Sequence, residues 1–161
     1  MALASSPFQM LVDGRQSQAA LAIARGTARL LHAHGRCVVS ELLLPSGRRA
    51  DLVALDPSGE IWIIEIKSSI ADFRADQKWH DYRAHCDRLF FATTIDVPCE
   101  IFPPDTGLIV ADAFGAEFKC EAPEHRLSAA TRKSMMLLFA RSAAIRLQSL
   151  ADPTGPYWEA E

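Results

Sequence analysis

Three charged side chains interrupt a pair of strand-like apolar segments in the middle of the chain. Residues 48–69 read RRADLVALDPSGEIWIIEIKSS, and Asp51, Glu65 and Lys67 stand where a buried strand would carry apolar residues. The turn-forming DPSG between the two segments predicts an antiparallel hairpin, which would bring Asp51 beside Glu65 and Lys67. The sequence therefore predicts two carboxylates and an ammonium close together at one end of a hairpin.

The second of these segments is apolar on both faces. Ile61 and Ile63 share one face with Glu65 and Lys67, because side chains two apart on a strand point the same way. The other face carries a tryptophan and two isoleucines. Such a strand lies inside a sheet, where a charge is costly unless it is paired or binds a metal ion.

Two neighbouring carboxylates repel each other, so this pair needs a proton, a basic partner or a cation. Mg²⁺, or Mn²⁺ in its place, would bind Asp51 and Glu65 and complete its shell with water and phosphate oxygens. Lys67 could then orient a water molecule that attacks a phosphodiester, or stabilise the charge that develops. The alternative is a structural ion-pair cluster with Arg48 or Arg49.

The elements that must position these residues follow from periodicity and turn residues. The pattern predicts a first helix over 15–34, ended by Gly35, and a second helix from Ser69 to about Cys86, with Asp72 completing a capping box. A last helix over 127–150 opens at Ser128. The predicted strands are Cys37 to Leu44, Arg49 to Leu55, Ile61 to Lys67, Arg88 to Thr93, Gly107 to Asp112 and Ala116 to Glu121.

This order, α-β-β-β-α-β with a small appendix and a closing helix, predicts an α/β fold with a central mixed β-sheet flanked by helices. We expect one domain over residues 1–161, with its core at about 15–150 and frayed ends. Trp79 is predicted to lie in the core. The last helix is predicted to turn one apolar face inward, formed by Met136, Phe139, Ala140, Ala143 and Leu147.

Composition excludes several classes of protein. No run of 18 or more apolar residues and no secretory signal occurs, which predicts a soluble, cytoplasmic protein without a membrane contact. Cys37, Cys86, Cys99 and Cys120 form no CxxC pair and are predicted to be free thiols, mostly buried. The patterns of serine hydrolases, P-loop NTPases and dinucleotide-binding proteins are also missing.

Charge is distributed unevenly around a net value of −3. Residues 51–125 contain 15 acidic and six basic side chains, whereas residues 1–50 and 126–161 are each net basic. Two basic stripes could follow a nucleic-acid backbone, although an ordinary exposed face is the more common explanation of such a stripe. The stripes are Arg25, Arg29, His32 and Arg36 on the first helix, and Arg132, Lys133, Arg141 and Arg146 on the last.

At this point the sequence resembles a known superfamily. Asp51 followed after thirteen residues by Glu65, Ile66 and Lys67 is similar to the D…(D/E)xK signature of restriction-endonuclease-like nucleases. More closely, SGRRADLVALDPSGEIWIIEIKSSIADFRADQKWHDY with the later GLIVAD and GAEF resembles the MmcB-like DNA repair proteins of alphaproteobacteria. The likeness extends over most of the chain.

The resemblance implies a restriction-endonuclease-like fold with Asp51 and Glu65 as metal ligands, the Ile66 carbonyl as a third ligand, and Lys67 as the catalytic lysine. Glu41 on the first strand is a further candidate ligand or base. Many relatives carry a Gln and a Tyr four apart on the following helix, a spacing that Lys78 and Tyr82 show here. These two residues are candidate DNA contacts, with a solvated helix face as the alternative.

Arg48, Arg49, Arg25 and Arg29 complete the candidate DNA-binding set. The sequence thus predicts a Mg²⁺- or Mn²⁺-dependent nuclease acting on DNA in repair, possessing Asp51, Glu65 and Lys67 as its catalytic residues. Two alternatives stay open: a repair accessory protein that binds DNA structures or other repair proteins without catalysis, and a subunit whose activity needs a partner.

Overall fold

The structure is a computed structural model that describes residues 17–155. In this part of the chain the α-helices are α1 (Gln18–Ala33), α2 (Ile70–Ala75) and α3 (Ala129–Ala151), and 3₁₀ helices span Trp79–His85 and Cys99–Ile101. The strands are β1 (Cys37–Leu43), β2 (Arg49–Leu55), β3 (Ile61–Ile66), β4 (Arg88–Thr93), β5 (Gly107–Ala111) and β6 (Ala116–Cys120). The predicted frayed ends fall largely on residues 1–16 and 156–161, which lie outside the described residues.

The strands form one mixed sheet in the order β1-β2-β3-β4-β5-β6. β1, β2 and β3 pair antiparallel, β3, β4 and β5 pair parallel, and β6 returns antiparallel to β5. The parallel pair β3–β4 needs a crossover, which α2 and the 3₁₀ helix Trp79–His85 supply. The prediction of an α/β fold with a central mixed sheet flanked by helices is confirmed.

Helices cover both faces of the sheet because its central strands are apolar on both sides. On one face, α1 packs Ile23 and Leu31 into a cluster with Ile64 of β3. On the other, Phe139 of α3 and Trp79 of the 3₁₀ helix pack into a second cluster. Trp79 is 7% exposed, so it lies in the core as predicted.

A glycine lets α1 approach the sheet closely. A Cβ atom at Gly26 would lie 2.0 Å from the carbonyl oxygen of Asp112 and 2.4 Å from that of Gly115, in the turn between β5 and β6. Nearby, the guanidinium of Arg29 donates a hydrogen bond to the Phe114 carbonyl at 3.1 Å. These contacts fix the middle of α1 against the β5–β6 turn.

Asp87, immediately before β4, joins three elements through its buried carboxylate. It accepts hydrogen bonds from the backbone N–H groups of Ile61, at 2.8 Å, and Leu127, at 2.9 Å. Arg132 of α3 donates two more hydrogen bonds, each of 2.7 Å. Burial alone would raise the pKa of Asp87, but the hydrogen bonds from Arg132, Ile61 and Leu127 hold it below its ordinary value.

The predicted second helix is wrong in its extent. It breaks at Asp76, whose backbone is extended, and a 3₁₀ helix resumes at Trp79. The side chain of Asp76 accepts hydrogen bonds from the Lys67 ammonium and from the Lys78 N–H. The cause of the break is therefore a contact with β3, which local periodicity does not record. The predicted helix start is correct, since Ser69 Oγ accepts from the Asp72 N–H at 3.0 Å.

The predicted inner face of the last helix is right for Phe139 and Ala143, which pack on the core. It is wrong for Ala140, which is exposed, and for Met136 and Leu147, which are 40% and 68% exposed, while Met135 is buried in their place. The inner side also carries Arg146, which donates hydrogen bonds to the Ser40 and Glu41 carbonyls of β1. α3 thus satisfies polar groups on the open edge of the sheet, and its apolar positions alone do not identify the buried side.

The prediction of mostly buried thiols fails for three cysteines. Cys86 is buried, but Cys37, Cys99 and Cys120 are free and exposed. Cys37 begins edge strand β1, Cys99 lies in a short 3₁₀ helix, and Cys120 ends edge strand β6. These ends and edges offer little cover to a side chain.

Replacing Asp87 should destabilise the fold, because Asp87→Ala leaves Arg132 and two backbone N–H groups without their acceptor. We expect a loss of about 3 kcal/mol in the free energy of unfolding, measured by urea denaturation at neutral pH. Asp105→Ala, which removes an exposed partner of Arg83, is the control and should cost less than about 1 kcal/mol.

Comparison of wild type with Asp87→Ala at different pH values also tests the role of Asp87. Because the pKa of folded Asp87 is lowered, its stabilisation is present above the unfolded pKa of about 4 and is lost as the pH falls through the folded value. The difference in unfolding free energy between wild type and Asp87→Ala should therefore shrink in acid. A difference that is constant with pH would contradict the assigned role.

Candidate functional site

Asp51 and Glu65 lie opposite each other where the hairpin ladder ends. The last aligned pair of β2 and β3 is Leu52 with Ile64, and beyond it each strand bonds to the other's side chain. The Asp51 N–H donates to Glu65 Oε1 at 3.1 Å, and the Ile66 N–H donates to Asp51 Oδ2 at 2.7 Å. This reciprocal pair of hydrogen bonds holds both carboxylates in fixed positions.

Both carboxylates line an open cleft of about 520 Å³. Its walls come from the start of α1, from β2 and β3, from α2 and from the 3₁₀ helix that follows. The charged and hydroxyl side chains around it are Ser17, Arg48, Arg49, Asp51, Glu65, Lys67, Ser68, Asp72, Asp76, Lys78 and Tyr82. The cleft is therefore lined by side chains of both signs of charge, and Asp51 and Glu65 are among them.

Burial raises the pKa values of both carboxyl groups and so disfavours the state in which both are ionised. Glu65 is 4% exposed, and its burial raises its pKa well above the ordinary value, with the negative charge of Asp51 raising it further. Burial also raises the pKa of Asp51, against the opposing effects of the Ile66 N–H and the Lys67 ammonium. One added positive charge between them would allow both to ionise.

Lys67 is engaged with a residue that the sequence did not single out. Its Nζ donates a hydrogen bond to Asp76 Oδ2 at 2.7 Å. Burial alone would lower the pKa of Lys67, but this bond and the charges of Asp76, Glu65 and Asp72 raise it. The Lys67 side chain is therefore protonated, and its hydrogen bond to Asp76 holds it in position. The sequence signal for Asp76 is weak, since it is one of several acidic residues in a polar segment.

Tyr82 and three basic residues form the wall above the acid pair. Tyr82 Oη donates to the Arg49 carbonyl at 3.1 Å, and burial raises the pKa of its phenol. Arg48 Nε is 3.0 Å from Asp81, and Arg49 Nε is 2.7 Å from the Glu41 carboxylate. Lys78 is exposed at the start of the 3₁₀ helix.

Glu41 lies on β1 with a positive φ of 52° and is ion-paired to Arg49. Ser40 pairs with Leu52 and Leu42 with Ala50, so the β1–β2 register continues unchanged past Glu41, which lies opposite Asp51. Its carboxylate is not among the described residues that line the cleft. The structure thus places Glu41 next to the candidate site, in contact with one of its arginines.

The basic stripe predicted on the first helix is not one surface. Arg25 is exposed on α1, Arg29 bonds to the β5–β6 turn, and neither lines the cleft as described. Arg36 lies beyond the helix, is 8% exposed, and forms an ion pair with Glu60 at 2.8 Å. It also stacks over Trp62 at 3.4 Å. Arg36 is therefore a structural residue.

The donor atoms at the acid pair fit a small divalent cation that keeps much of its water. Within residues 17–155, no group of three His, Cys, Asp or Glu side chains is arranged to hold a metal ion. The acid pair supplies two carboxylates, and the Ile66 carbonyl points to the same strand edge as the N–H that reaches Asp51. One or two carboxylates, with water and phosphate oxygens, are the usual ligands of Mg²⁺.

Comparison with known proteins agrees with the resemblance seen in the sequence. A family model described as DNA repair protein MmcB-like matches residues 8–154, and the chain belongs to the MmcB-like family. No curated protein matches the chain. Among the described residues, no helix is long and apolar enough to cross a membrane.

A solved structure shares both the fold and much of the sequence. The SPO1766 protein of unknown function from Silicibacter pomeroyi is 48% identical, with a TM-score of 0.84. The match covers 88% of this chain and 97% of that one. The arrangement of helices and strands described above is therefore also found in a similar protein of known structure.

The raised pKa of Glu65 can be measured directly. In metal-free buffer, ¹³C NMR of protein labelled at glutamate carboxyl groups should show Glu65 titrating well above its ordinary value. Glu60 is an internal control, because hydrogen bonds from Arg36 and Arg88 outweigh its burial and lower its pKa. Titration of Glu65 at or below the pKa of Glu60 would contradict the description of a buried, coupled acid pair.

Proposed function

We propose that this protein is a metal-dependent phosphodiesterase of the restriction-endonuclease-like superfamily that cleaves DNA during repair. Asp51 and Glu65, with the Ile66 carbonyl, would hold Mg²⁺ or Mn²⁺, and Lys67 would be the catalytic lysine. The observation that carries the proposal is the reciprocal hydrogen bonding that fixes buried Glu65 and half-buried Asp51 side by side in the lining of an open cleft.

The order of elements supports the superfamily placement. Helix α1, the three antiparallel strands β1 to β3, the crossover through α2, and the parallel strand β4 follow the α-β-β-β-α-β order of these nucleases. In this arrangement the acid pair lies at the outer end of the β2–β3 hairpin, and the lysine follows at the end of β3. Membership of a DNA repair family supports DNA as the substrate.

The residues of the cleft would bind the cation, stay in position and orient the attacking water. A divalent cation bound to the acid pair would lower the pKa of a water ligand and offset charge on the phosphodiester. The two backbone hydrogen bonds keep Asp51 and Glu65 from moving as the substrate enters. The Lys67 ammonium, held by Asp76, is positioned to orient the attacking water or to donate to a charged phosphate oxygen.

The rim of the cleft suits a phosphate backbone. Arg48, Arg49 and Lys78 border the same cavity as the acid pair. We assign the DNA phosphate contacts to these three residues and to Tyr82, rather than to Arg25 and Arg29, which lie elsewhere along α1. Repair of DNA without a fixed target sequence needs backbone contacts of this kind more than base contacts.

A second function is favoured by one observation. In the described part of the chain, no group of three His, Cys, Asp or Glu side chains is arranged to hold a metal ion, so the acid pair supplies only two carboxylates. A non-catalytic accessory that binds DNA structures or other repair proteins would tolerate such a small donor set. It would bind DNA with equal affinity in the presence and absence of metal, and its binding would survive Asp51→Ala.

Cleavage should require the acid pair. We expect the purified protein to cut at least one of single-stranded, duplex and branched DNA in the presence of Mg²⁺ or Mn²⁺. Glu65→Gln, which keeps an acceptor for the Asp51 N–H, should reduce the rate at least about 100-fold. Glu100→Gln, an exposed change, is the control. Absence of cleavage on every substrate, or equal rates for Glu65→Gln and wild type, would contradict the nuclease proposal.

DNA binding should depend on the rim. Lys78→Ala should weaken binding similarly for unrelated sequences and reduce the slope of log affinity against log salt concentration by about 1, because one phosphate contact is lost. Fluorescence anisotropy with labelled DNA, in Ca²⁺ or without metal to prevent cleavage, gives both quantities. Lys119→Ala on β6 is the matched control. Equal effects of the two substitutions would place the DNA elsewhere.

A further inference from the structure

The backbone of Lys67 is bonded to β4 through both of its polar groups. Its N–H donates to the Ala92 carbonyl at 2.9 Å, and its carbonyl accepts from the Thr93 hydroxyl at 2.7 Å. The last aligned pair of β3 and β4 is Ile66 with Ala92, so these two bonds lie where the regular pairing ends. The Thr93 hydroxyl therefore continues the parallel ladder with a side chain.

Thr93 is a hydroxyl residue at a position whose surroundings would suit valine. It is 0% exposed, and it follows the buried apolar residues 89–92 of β4. A buried hydroxyl is costly unless it is hydrogen-bonded, and valine has a similar shape without that cost. The hydroxyl of Thr93 thus has one use that valine would lack, which is its hydrogen bond to the Lys67 carbonyl.

α2 holds the other side of the same peptide group. The carbonyl of the peptide group between Lys67 and Ser68 accepts from the Thr93 hydroxyl. Its N–H, on Ser68, donates to Asp72 Oδ2 at 3.0 Å. The Lys67 ammonium donates in turn to Asp76, directly after α2. Lys67 is therefore held at its N–H, its carbonyl and its ammonium by two separate elements.

The same contacts orient the Ile66 carbonyl. In a strand the N–H and carbonyl of one residue point to one side, and those of the next residue point to the other. Because the Lys67 N–H points to β4, the Ile66 carbonyl points to β2, where the Ile66 N–H reaches Asp51. Rotation of the Lys67 backbone would therefore displace both the ammonium and this carbonyl.

We propose that Thr93 and Asp72 are positioning residues, which fix the backbone of Lys67 and, through it, the Lys67 ammonium and the Ile66 carbonyl. The expected effect on catalysis rests on the proposed nuclease function. Since Thr93 is fully buried, it has no contact with a substrate and acts only through Lys67. Asp72 acts on the same peptide group from the side of α2.

Cleavage kinetics of the full chain, with the DNA that wild type cuts fastest, test the role of Thr93. Thr93→Val replaces the hydroxyl by a methyl group and should lower kcat about tenfold with KM unchanged, the factor that one ordinary hydrogen bond represents. Thr93→Ser should restore the wild-type rate. Thr106→Val is the matched control and should leave kcat unchanged. Thr106 is 3% exposed, and its hydroxyl donates to the Pro103 carbonyl at 2.9 Å, outside the described lining of the cleft.

Asp72 offers a second pair of variants, which keeps the test available if Thr93→Val does not fold. Asp72→Asn loses the charge but keeps an acceptor for the Ser68 N–H, whereas Asp72→Ala loses both. The difference between the two variants isolates the hydrogen bond from the charge. Asp72→Ala should have the lower kcat, and equal values would contradict a positioning role for Asp72.

Lysine NMR tests the positioning independently of cleavage. The sequence contains four lysines, so protein labelled with ¹³C at lysine Cε gives four signals, and Lys67→Arg identifies that of Lys67. The Lys67 signal should show restricted motion, in contrast to that of exposed Lys133. Thr93→Val should shift the Lys67 signal and increase its mobility, whereas Thr106→Val should leave it unchanged.

The two measurements separate the positioning role from the nuclease function. A wild type that cleaves no DNA contradicts the nuclease function, and the lysine signals then decide the positioning role alone. A Thr93→Val protein with the kcat of an active wild type, or with an unchanged Lys67 signal, overturns the positioning role and leaves the nuclease function standing. Equal losses in Thr93→Val and Thr106→Val, or a loss that Thr93→Ser does not restore, would also overturn it.

Discussion

The arrangement of the cleft depends on one exchange of hydrogen bonds at the end of the β2–β3 hairpin. There the regular backbone ladder stops, and the side chains of Asp51 and Glu65 accept the N–H groups that would otherwise have no partner. The carboxylates therefore serve the backbone and the cleft at the same time. Neither can leave its position without leaving a backbone N–H group without its acceptor, which keeps the two carboxyl groups side by side although their pKa values are raised.

The two ends of β3 differ in how well their charged groups are satisfied. At its start, Asp87 binds the Ile61 N–H and Arg132, so that β3, β4 and α3 are joined by an ion pair that is satisfied within the fold. At its far end, Glu65 is buried beside Asp51 with its pKa raised, which is an unfavourable local arrangement. An unfavourable group is tolerated where the remainder of the sheet determines its position. The hydrogen bonds of Asp87 hold one end of β3 in place, which helps the fold tolerate the unfavourable burial of Glu65 at the other end.

Sequence patterns correctly predicted those features of the fold that depend on turn residues, apolar runs and the two-residue alternation of strands. The strands, the hairpin that brings Asp51 to Glu65, and the buried Trp79 all follow from alternation, turn residues and apolar runs. The break at Asp76 and the outward Met136 and Leu147 do not, because their causes are contacts with β3 and β1. A helical wheel ranks positions by hydrophobicity, but the inner side of α3 includes Arg146, which serves carbonyl groups on a strand edge.

The Lys67–Asp76 contact determines where the positive charge of Lys67 lies relative to the acid pair. If the ammonium lay between the carboxylates, it would neutralise them and occupy the position that a divalent cation needs. Asp76 instead binds Lys67 at 2.7 Å and keeps its pKa raised, so the acid pair stays short of positive charge. A divalent cation would then supply the missing charge by displacing a proton, while the ammonium is still available to a phosphate or a water molecule. The helix break that sequence patterns missed therefore places Asp76 where it binds Lys67, and it would leave the acid pair accessible to a cation.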